Sequence, residues 1–300
     1  MYYYINHEVF HPLKEFLERE GMPTQKIEKR WEIFFPKYFL FTKNKVDPNK
    51  PSIVHSPWIH DIPWKIKAPK IVIEEYFFTN GLRDKLFKKV MAPYKVFITL
   101  TPITHQFLID WGKESFLLPP LLEGKLVKEK KDYILSVMRL ERRKNPEMIV
   151  RLAKAFPEKR FIIATGGHYE KRYLEMLRLP NVQIIKERLP KKNLEELLAK
   201  ARLFVFPTLQ DPIGYAPIEA LRFGTPVLLS TKAAVSSFFP DKEWVLPPED
   251  ENAWVEKVKE MWEKAKPEDF YRSFKAVFSK DESIYRDNYR IFKNYLKSFA

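Results

Sequence analysis

Six short apolar runs, separated by amphipathic stretches, constrain the fold of the second half of this chain. The amphipathic stretch from Leu194 to Ala201 repeats its apolar residues at i, i+3, i+4 and i+7, as a helix does. Apolar strands that alternate with such helices are typical of parallel β-α-β units, so we predict an α/β fold with a doubly wound sheet. The six predicted strands are Tyr133–Met138, Phe161–Thr165, Val182–Ile185, Leu203–Phe206, Val227–Leu229 and Trp244–Leu246.

The first 120 residues indicate a second, smaller α/β sheet, with weaker signals. Val9–Arg19 is predicted as a helix, because Phe10, Leu13 and Leu17 fall on one face. The predicted strands are Tyr2–Ile5, Tyr38–Thr42, Ile53–His55, Ile71–Ile73, Val96–Leu100 and Phe116–Leu118.

We therefore predict two domains, residues 1–125 and residues 126–281. The boundary falls in the segment Pro119–Asp132, which has the prolines and charges of an interdomain linker. A last helix, within residues 282–300, could pack back on the first domain.

Composition narrows the classes of function. The chain has no cysteine, which excludes disulfides, thiolate metal sites and a cysteine nucleophile. No apolar run approaches the roughly 20 residues of a membrane helix, and the first residues do not form a signal peptide, so we expect a cytoplasmic protein. Many Lys, Arg and Glu residues, with no Cys and few Gly, would suit a thermophile.

The formal net charge of +14 has three interpretations. A nucleic acid, an anionic small ligand or lipid surface, and a solvated basic face could each account for it. The basic residues are spread along the chain, and no RNA- or DNA-binding motif is present. We therefore expect no nucleic-acid partner.

The loop after the fourth run, Asp211-Pro-Ile-Gly-Tyr-Ala-Pro-Ile-Glu219, is the strongest candidate for a binding site. It is predicted to open a helix with Pro217 at the first helical position, which leaves the amides of Gly214, Tyr215 and Ala216 without intrahelical partners. Such amides suit a phosphate group, and a carboxylate lies on either side of them. A hydroxyl-diphosphate-hydroxyl ligand, a nucleotide sugar, would fit this order, although Glu219 could instead be a capping or surface residue.

Two cations follow the first strand of this half. Arg139 comes directly after it, and Lys144 lies five residues later. Cations at the carboxyl end of a strand could flank the same diphosphate, where arginine offers a fork of donors and lysine a point charge. The alternative is a basic helix start on the protein surface.

Together these segments resemble the nucleotide-sugar domain of the glycosyltransferase family 4 type, which are retaining enzymes of the GT-B fold. The matching stretches are RLERRK at 139–144 and DPIGYAPIEALRFGTPVLLS at 211–230, and the resemblance covers roughly residues 133–262. It implies a GT-B-like α/β architecture, in which two Rossmann-like doubly wound domains face a cleft and the N-terminal domain is reduced.

The resemblance also implies roles for individual residues. Glu219 would accept hydrogen bonds from the ribose hydroxyls, and Asp211 would hold hydroxyls of the donor sugar. Arg139 and Lys144 would neutralise the leaving diphosphate. Residues expected to border the donor in addition are Ile213, Gly214, Tyr215, Gly166 and, near the base, Lys186 and Leu189.

The chain departs from the family pattern at several positions. Asp211 stands where the family has Glu, so its carboxylate reaches roughly 1.5 Å less far. Glu75 could replace a family histidine near the donor sugar, although a solvated acidic loop is equally compatible. His55 and His105 are further candidates on the acceptor side, where a packing or surface role is the alternative.

The predicted function is that of a retaining glycosyltransferase that moves a hexose from a nucleotide-diphosphate sugar to an acceptor hydroxyl. The donor is a co-substrate, no metal or other cofactor is expected, and the acceptor would be a glycan or lipid-linked, with possible peripheral contact to the inner membrane face. Two alternatives remain open at this point: an inactive nucleotide-sugar-binding scaffold, and a nucleotide-sugar epimerase of the same fold.

Overall fold

The structure of the chain is a computed structural model. It describes residues 82–240 and 242–298 and, before them, residues 2–4, 13, 15–16, 25–26, 29–30, 41–42, 52–55 and 70–73. The chain divides into two compact units. The first unit comprises residues 1–120 and 285–300, and the second comprises residues 121–284.

The first unit contains a six-stranded sheet with the strand order β2-β1-β5-β6-β7-β8, in which every neighbouring pair is parallel. A separate antiparallel pair is formed by β3 and β4. The strands are β1 Tyr2–Tyr4, β2 Gln25–Lys26, β3 Lys29–Arg30, β4 Phe41–Thr42, β5 Ser52–His55, β6 Lys70–Ile73, β7 Val96–Thr99 and β8 Glu114–Leu117.

Two helices, α1 (Leu82–Met91) and α2 (Pro102–Asp110), follow β6 and β7. Phe97 of β7 packs with Phe87 of α1 and Leu108 of α2 in a buried cluster. Of the helix predicted at Val9–Arg19, the described residues 13, 15 and 16 are helical, with Leu13 and Phe16 buried. Phe10 and Leu17 lie outside the described residues.

The second unit contains a parallel six-stranded sheet with the order β11-β10-β9-β12-β13-β14. Renumbered within the unit this is 3-2-1-4-5-6, the order of a doubly wound nucleotide-binding sheet, with a topological switch point between β9 and β12. The six predicted strands are confirmed, as β9 Lys131–Val137, β10 Arg160–Ala164, β11 Val182–Ile185, β12 Ala201–Phe206, β13 Val227–Ser230 and β14 Val245–Leu246.

Helices connect these strands and pack around the sheet. They begin at residues that suit helix starts: Pro146 and Pro267 occupy first-turn positions, and Asp250 accepts a hydrogen bond from the amide of Ala253 at 3.0 Å. The helices are α3 Pro146–Ala155, α4 Lys171–Met176, α5 Lys191–Lys200, α6 Tyr215–Leu221, α7 Glu251–Lys264 and α8 Pro267–Phe278.

The segment predicted as a linker is bonded to the second unit instead of running free. The amides of Lys125 and Val127 donate to the carbonyls of Arg222 and Phe223. Lys130 donates to the carbonyl of Ala199 at the end of α5, at 2.7 Å. The boundary between the two units, after residue 120, falls inside this predicted segment. Prolines and charges alone do not reveal that its backbone donors find acceptors at the ends of neighbouring helices.

The last helix, α9 (Arg286–Lys297), belongs to the first unit. Its buried face contains Tyr289, Phe292 and Leu296, at helical spacing. The Phe292 ring lies 5.1 Å from that of Phe116 on β8, and the Tyr289 hydroxyl donates to the carbonyl of Pro119 at 2.7 Å. None of the helices in the described part of the chain combines the length and the apolar character that crossing a bilayer requires.

Candidate functional site

The candidate site lies at the carboxyl edge of the second sheet, where three loops are joined by hydrogen bonds. These are the loop after β9 (138–145), the loop after β12 (207–214) and the loop after β13 (231–234). The carbonyl of Arg143 accepts bonds from the hydroxyl of Thr208 at 2.7 Å and from the amide of Leu209 at 2.8 Å. The amide of Asn145 also donates its side-chain hydrogens to the carbonyl of Pro207, at 3.1 Å.

Lys144 and Asp211 form an ion pair between the first two loops. Both side chains are largely buried. The second carboxylate oxygen of Asp211 accepts the amides of Ile213 at 3.0 Å and Gly214 at 2.8 Å. Asp211 therefore organises its own loop and holds Lys144 at the same time.

The backbone of Asp211 joins the third loop. Its amide donates to the carbonyl of Lys232 at 3.1 Å, and its carbonyl accepts the amide of Ala234 at 2.8 Å. Main-chain and side-chain groups of one residue thus connect three neighbouring loops. Such a residue is pre-organised by its surroundings, as binding sites require.

Burial lowers the pKa of the Lys144 ammonium from its usual value, and the facing carboxylate of Asp211 opposes this shift. The ammonium also lies 5.3 Å from the centre of the Phe206 ring, at the end of β12. A buried lysine with one carboxylate partner still carries further N–H donors. Lys144 is therefore a cation held in place by the protein.

Arg139 has a different environment, although the sequence placed the two cations together. Its side chain is exposed and makes no hydrogen bond or ion pair with any other described residue. An exposed guanidinium is available for an anionic ligand. Of the two predicted cations, Arg139 is thus the one open to solvent.

Helix α6 starts earlier than the sequence suggests. It begins at Tyr215 after Gly214, whose φ of 71° lies in the left-handed region that favours glycine. The prediction of Pro217 at the first helical position is therefore wrong, since Pro217 is third. Glu219 consequently lies in the second turn of the helix, where it is half-buried and is too far along to cap the helix start.

The amide of Gly214 has a partner within the protein, namely Asp211. A side chain at this position would also collide with the segment that follows the third loop, because an added Cβ would lie 2.6 Å from Cγ1 of Val235. Close packing and positive φ both require glycine here. The amide of Gly214 is thus part of the loop's internal bonding, a point that the sequence does not reveal.

The loops after β10 and β11 are joined in turn. The amide of Gly167 and the hydroxyl of Thr165 both donate to the carbonyl of Lys186, at 2.8 and 3.0 Å. Gly166 has a positive φ of 61° and is exposed, as is Lys186, whereas Leu189 is half-buried. These predicted donor contacts therefore lie at the same edge of the sheet as Asp211.

The predicted acceptor-side residues belong to the first unit, where they lie on different elements. His105 lies on α2, and its Nδ1 is 2.9 Å from the hydroxyl of Ser115 on β8. Burial lowers the pKa of its imidazole. His55 ends β5, in register with Ile73 of β6, and Glu75 lies outside the described residues.

Two groups that contribute to the site were not predicted from the sequence. Asn145 has a φ of 54°, and besides Pro207 it donates to the carbonyl of Pro248 at 3.3 Å. The Asn145-Pro146 pair marks a turn, which is the signal that could have identified it. The carbonyl of Arg143 carries no sequence signal, because backbone acceptors are common to every residue type.

Comparison with known proteins defines the class. Solved structures with a similar fold include TarM (TM-score 0.67, 15% identity, 85% of this chain and 56% of that chain). Sucrose-phosphate synthase from Thermosynechococcus elongatus is also similar (TM-score 0.64, 17% identity, 83% of this chain and 74% of that chain). A third is pneumococcal O-GlcNAc transferase GtfA, in complex with UDP and GlcNAc (TM-score 0.63, 13% identity, 84% and 57%). The predicted GT-B-like fold class is confirmed.

The family model described as "Glycosyl transferases group 1" matches residues 121–275, slightly more than half of the chain. The chain therefore belongs to the group 1 glycosyl transferases, and the predicted glycosyltransferase family is confirmed at this level. Curated relatives include the serotype-specific mannosyltransferase WbdA of Escherichia coli, 28% identical over 157 residues. The O-antigen chain mannosyltransferase RfbU of Salmonella typhimurium is 25% identical over 211 residues.

These matches cover different shares of each protein. The WbdA match covers 48% of this chain and 19% of the relative, and the RfbU match covers 68% and 59%. The chain thus spans about a fifth of the length of WbdA and less than two thirds of RfbU.

Proposed function

We propose that this chain is a retaining glycosyltransferase that moves a hexose from a nucleotide-diphosphate sugar to an acceptor hydroxyl on a glycan or a lipid-linked saccharide. The observation that carries the proposal is the arrangement at the edge of the second sheet. The buried Lys144–Asp211 pair joins two loops of a group 1 glycosyl transferase domain, and the exposed Arg139 lies on one of them.

The chemical demand of the reaction is the stabilisation of a leaving diphosphate. Negative charge grows on the diphosphate as the bond to the anomeric carbon breaks and the sugar becomes oxocarbenium-like. A fixed cation contributes most when its position does not change during the reaction. In this proposal Arg139 contacts the diphosphate directly, because its guanidinium is exposed and unpaired among the described residues.

Asp211 and Lys144 have a double role in the proposal. Asp211 holds the ammonium of Lys144 and the amides of Ile213 and Gly214. Lys144 can then turn its remaining N–H donors to the diphosphate. The role implied for Asp211 by family resemblance, contact with hydroxyls of the donor sugar, stays a prediction, as does the contact of Glu219 with the ribose.

Retention of configuration follows if the acceptor attacks the face from which the diphosphate departs. The acceptor hydroxyl forms the new bond to the anomeric carbon while the bond to the diphosphate oxygen breaks. The proton of the hydroxyl passes to a diphosphate oxygen, so that no protein nucleophile takes part. Since guanidinium and ammonium groups balance the diphosphate charge, we expect activity to persist in the presence of a chelator.

The names of the curated relatives suggest the first donor to test. WbdA and RfbU are mannosyltransferases, so we include mannose in the proposal as the donor hexose. The full-length protein would be incubated with GDP-mannose, UDP-glucose and UDP-N-acetylglucosamine, and release of nucleoside diphosphate would be measured by chromatography. The anomeric configuration of the product would then be read by NMR.

Four results are distinguishable. Release of nucleoside diphosphate with retained configuration supports the proposal. A changed sugar on an intact diphosphate would indicate an epimerase instead. Binding of nucleotide sugars without turnover, across a panel of acceptors, would indicate an inactive scaffold, and an inverted product would contradict retention.

A further inference from the structure

The loop after β10 occupies a central place at the edge of the second sheet. In the strand order β11-β10-β9-β12, it lies between the loop that carries Lys186 and the loop that carries Arg139. A nucleotide whose diphosphate contacts Arg139 and whose base approaches Lys186 must pass over the loop after β10. The inference below rests on the proposed function, since it concerns the nucleotide of that donor.

Backbone hydrogen bonds hold this loop beside Arg139. The amide of Leu140 donates to the carbonyl of His168 at 3.0 Å, and the amide of Glu170 donates to the carbonyl of Leu140 at 2.9 Å. Tyr169 and Leu140 form a parallel bridge between these bonds. Tyr169 is therefore fixed next to the residue that follows Arg139.

The side chain of Tyr169 is 43% exposed. It forms no ring contact and no side-chain hydrogen bond with any other residue in the described part of the chain. In that part of the second unit, the other exposed large apolar side chains are Met176, Leu209 and Ile284. Tyr169 is the aromatic one among them, and an aromatic ring offers a face on which a planar base can stack.

The approach to Tyr169 is open. Gly166 and Gly167, which precede it in the loop, have φ angles of 61° and 85°. A Cβ added at either glycine would meet nothing within 4 Å. A ligand can thus come close to the backbone of the loop that carries Tyr169.

We propose that Tyr169 is the stacking platform for the nucleobase of the donor. The sheet order favours the base over the sugar as its partner. The loops after β10 and β12 lie on opposite sides of β9, so Tyr169 and Asp211 flank the Arg139 loop from opposite directions. If the sugar lies toward Asp211 and the diphosphate lies at Arg139, the nucleoside extends toward Tyr169.

The test compares ligands that have a base with one that has none. UDP, GDP, ADP, CDP and TDP would be titrated calorimetrically into the wild-type protein and the variants Tyr169→Ala and Tyr169→Phe. Inorganic pyrophosphate, which lacks the base, would be titrated in parallel. Met176→Ala is the matched control, because Met176 is 42% exposed on α4 of the same unit.

We expect Tyr169→Ala to weaken the binding of the preferred nucleoside diphosphate by roughly 5- to 150-fold, the range for loss of one stacked base. Tyr169→Phe should retain most of the affinity, because it keeps the ring. Pyrophosphate binding should be the same in all four proteins, and Met176→Ala should behave as the wild type does.

The outcomes separate this inference from the proposed function. Wild-type affinity for nucleoside diphosphates in Tyr169→Ala would overturn the role of Tyr169 and leave the proposed function standing. An equal loss for pyrophosphate and for nucleotides would also overturn it, because the effect would then arise at the phosphates. Failure of the wild-type protein to bind any of the nucleotides would overturn both.

Discussion

The carboxyl edges of the two sheets are stabilised by different kinds of bonds. At the second sheet the central contact is between charges, the buried Lys144–Asp211 pair. At the first sheet the described contacts near β8 are neutral: Asn288 and Tyr289 of α9 donate to the carbonyls of Leu117 and Pro119, at 2.9 and 2.7 Å. Both arrangements join distant parts of the chain, and at the second sheet Lys144 lies on the same loop as the exposed Arg139.

The two kinds of bond also differ in what they contribute to the stability of the fold. A buried ion pair is weak evidence for stability, because two charges must leave water to form it. A hydroxyl-to-carbonyl hydrogen bond requires less desolvation to form, and its loss lowers the free energy of unfolding by less. We therefore interpret the charged pair at the second sheet as part of the proposed donor site. The following predictions test this contrast.

The largest effect is expected from Lys144→Met. The change leaves the carboxylate of Asp211 buried without its cation, and breaking such a pair costs about 3–5 kcal/mol. The corresponding change at the first sheet, Tyr289→Phe, removes a neutral bond worth about 0.5–1.5 kcal/mol. Urea unfolding of both variants measures the two losses.

A double variant tests whether the loss of stability arises from the unpaired charge. Adding Asp211→Asn to Lys144→Met should recover part of the lost stability, because a neutral amide costs less to bury than an unpaired carboxylate. Equal losses for Lys144→Met and Tyr289→Phe would contradict the distinction between the two edges.

Arg139→Ala should lower turnover with the preferred donor by about 100-fold or more, since the leaving diphosphate loses a cationic donor. The free energy of unfolding should stay near the wild-type value, because the side chain is exposed and unpaired among the described residues. Steady-state kinetics and urea unfolding on the same preparation measure both quantities.

Arg178→Ala is the matched control for this change. Arg178 is also an exposed arginine of the second unit, but it lies between α4 and the start of β11, toward the amino edge of the parallel sheet. Its replacement should leave turnover unchanged. Normal turnover in Arg139→Ala would remove Arg139 from the proposed mechanism.

Alanine substitutions at two glycines with similar backbone angles distinguish the effect of local backbone strain from the effect of packing. Gly214 in the second unit and Gly112 in the first have φ values of 71° and 73°. An alanine at either position bears about 1–2 kcal/mol of left-handed strain. At Gly214 it also collides with Val235, whereas at Gly112 it meets nothing within 4 Å.

We therefore expect Gly214→Ala to lower the free energy of unfolding more than Gly112→Ala, by about 1–3 kcal/mol for the overpacking. Thermal or urea unfolding would reveal the difference. If the two variants lose the same stability, the three loops at the edge of the second sheet are not packed as tightly as described.

The smallest effect concerns the pH dependence of stability. Burial lowers the pKa of Lys130 to about 8, while it donates to Ala199, Phe223 and Thr225. Between pH 8 and the unfolded pKa of roughly 10.4, the unfolded chain holds a proton that the folded chain has released, so stability rises with pH. Solvent screening at this half-exposed group leaves an effect on the order of 1 kcal/mol.

Unfolding free energies of the wild type and Lys130→Met at pH 7.5, 8.5 and 9.5 measure this effect. The difference should shift in favour of the wild type as pH rises, since other groups titrate equally in both proteins. A difference that is independent of pH would show that Lys130 titrates at its ordinary pKa.

Much of the second unit could be predicted from the sequence, because its strands are apolar on both faces and interrupted by helical repeats. The strands at residues 182–185 and 201–206 illustrate this, since their predicted and observed bounds differ by two residues at most. The boundary between the two units falls after residue 120, inside the predicted linker Pro119–Asp132. Charge alone does not reveal that Lys130 of this segment finds three oxygen partners on the second unit.

The sequence by itself determined the fold class, the family and the position of the charged residues at the ends of strands, because these depend on periodicity and local spacing. Tertiary structure alone decided that Lys144 is buried against Asp211 and Phe206 while Arg139 is exposed. The physical reason is that burial and ion pairing depend on contacts between residues more than 60 positions apart along the chain. The two cations are five positions apart in the sequence, and the surrounding loops give them different environments.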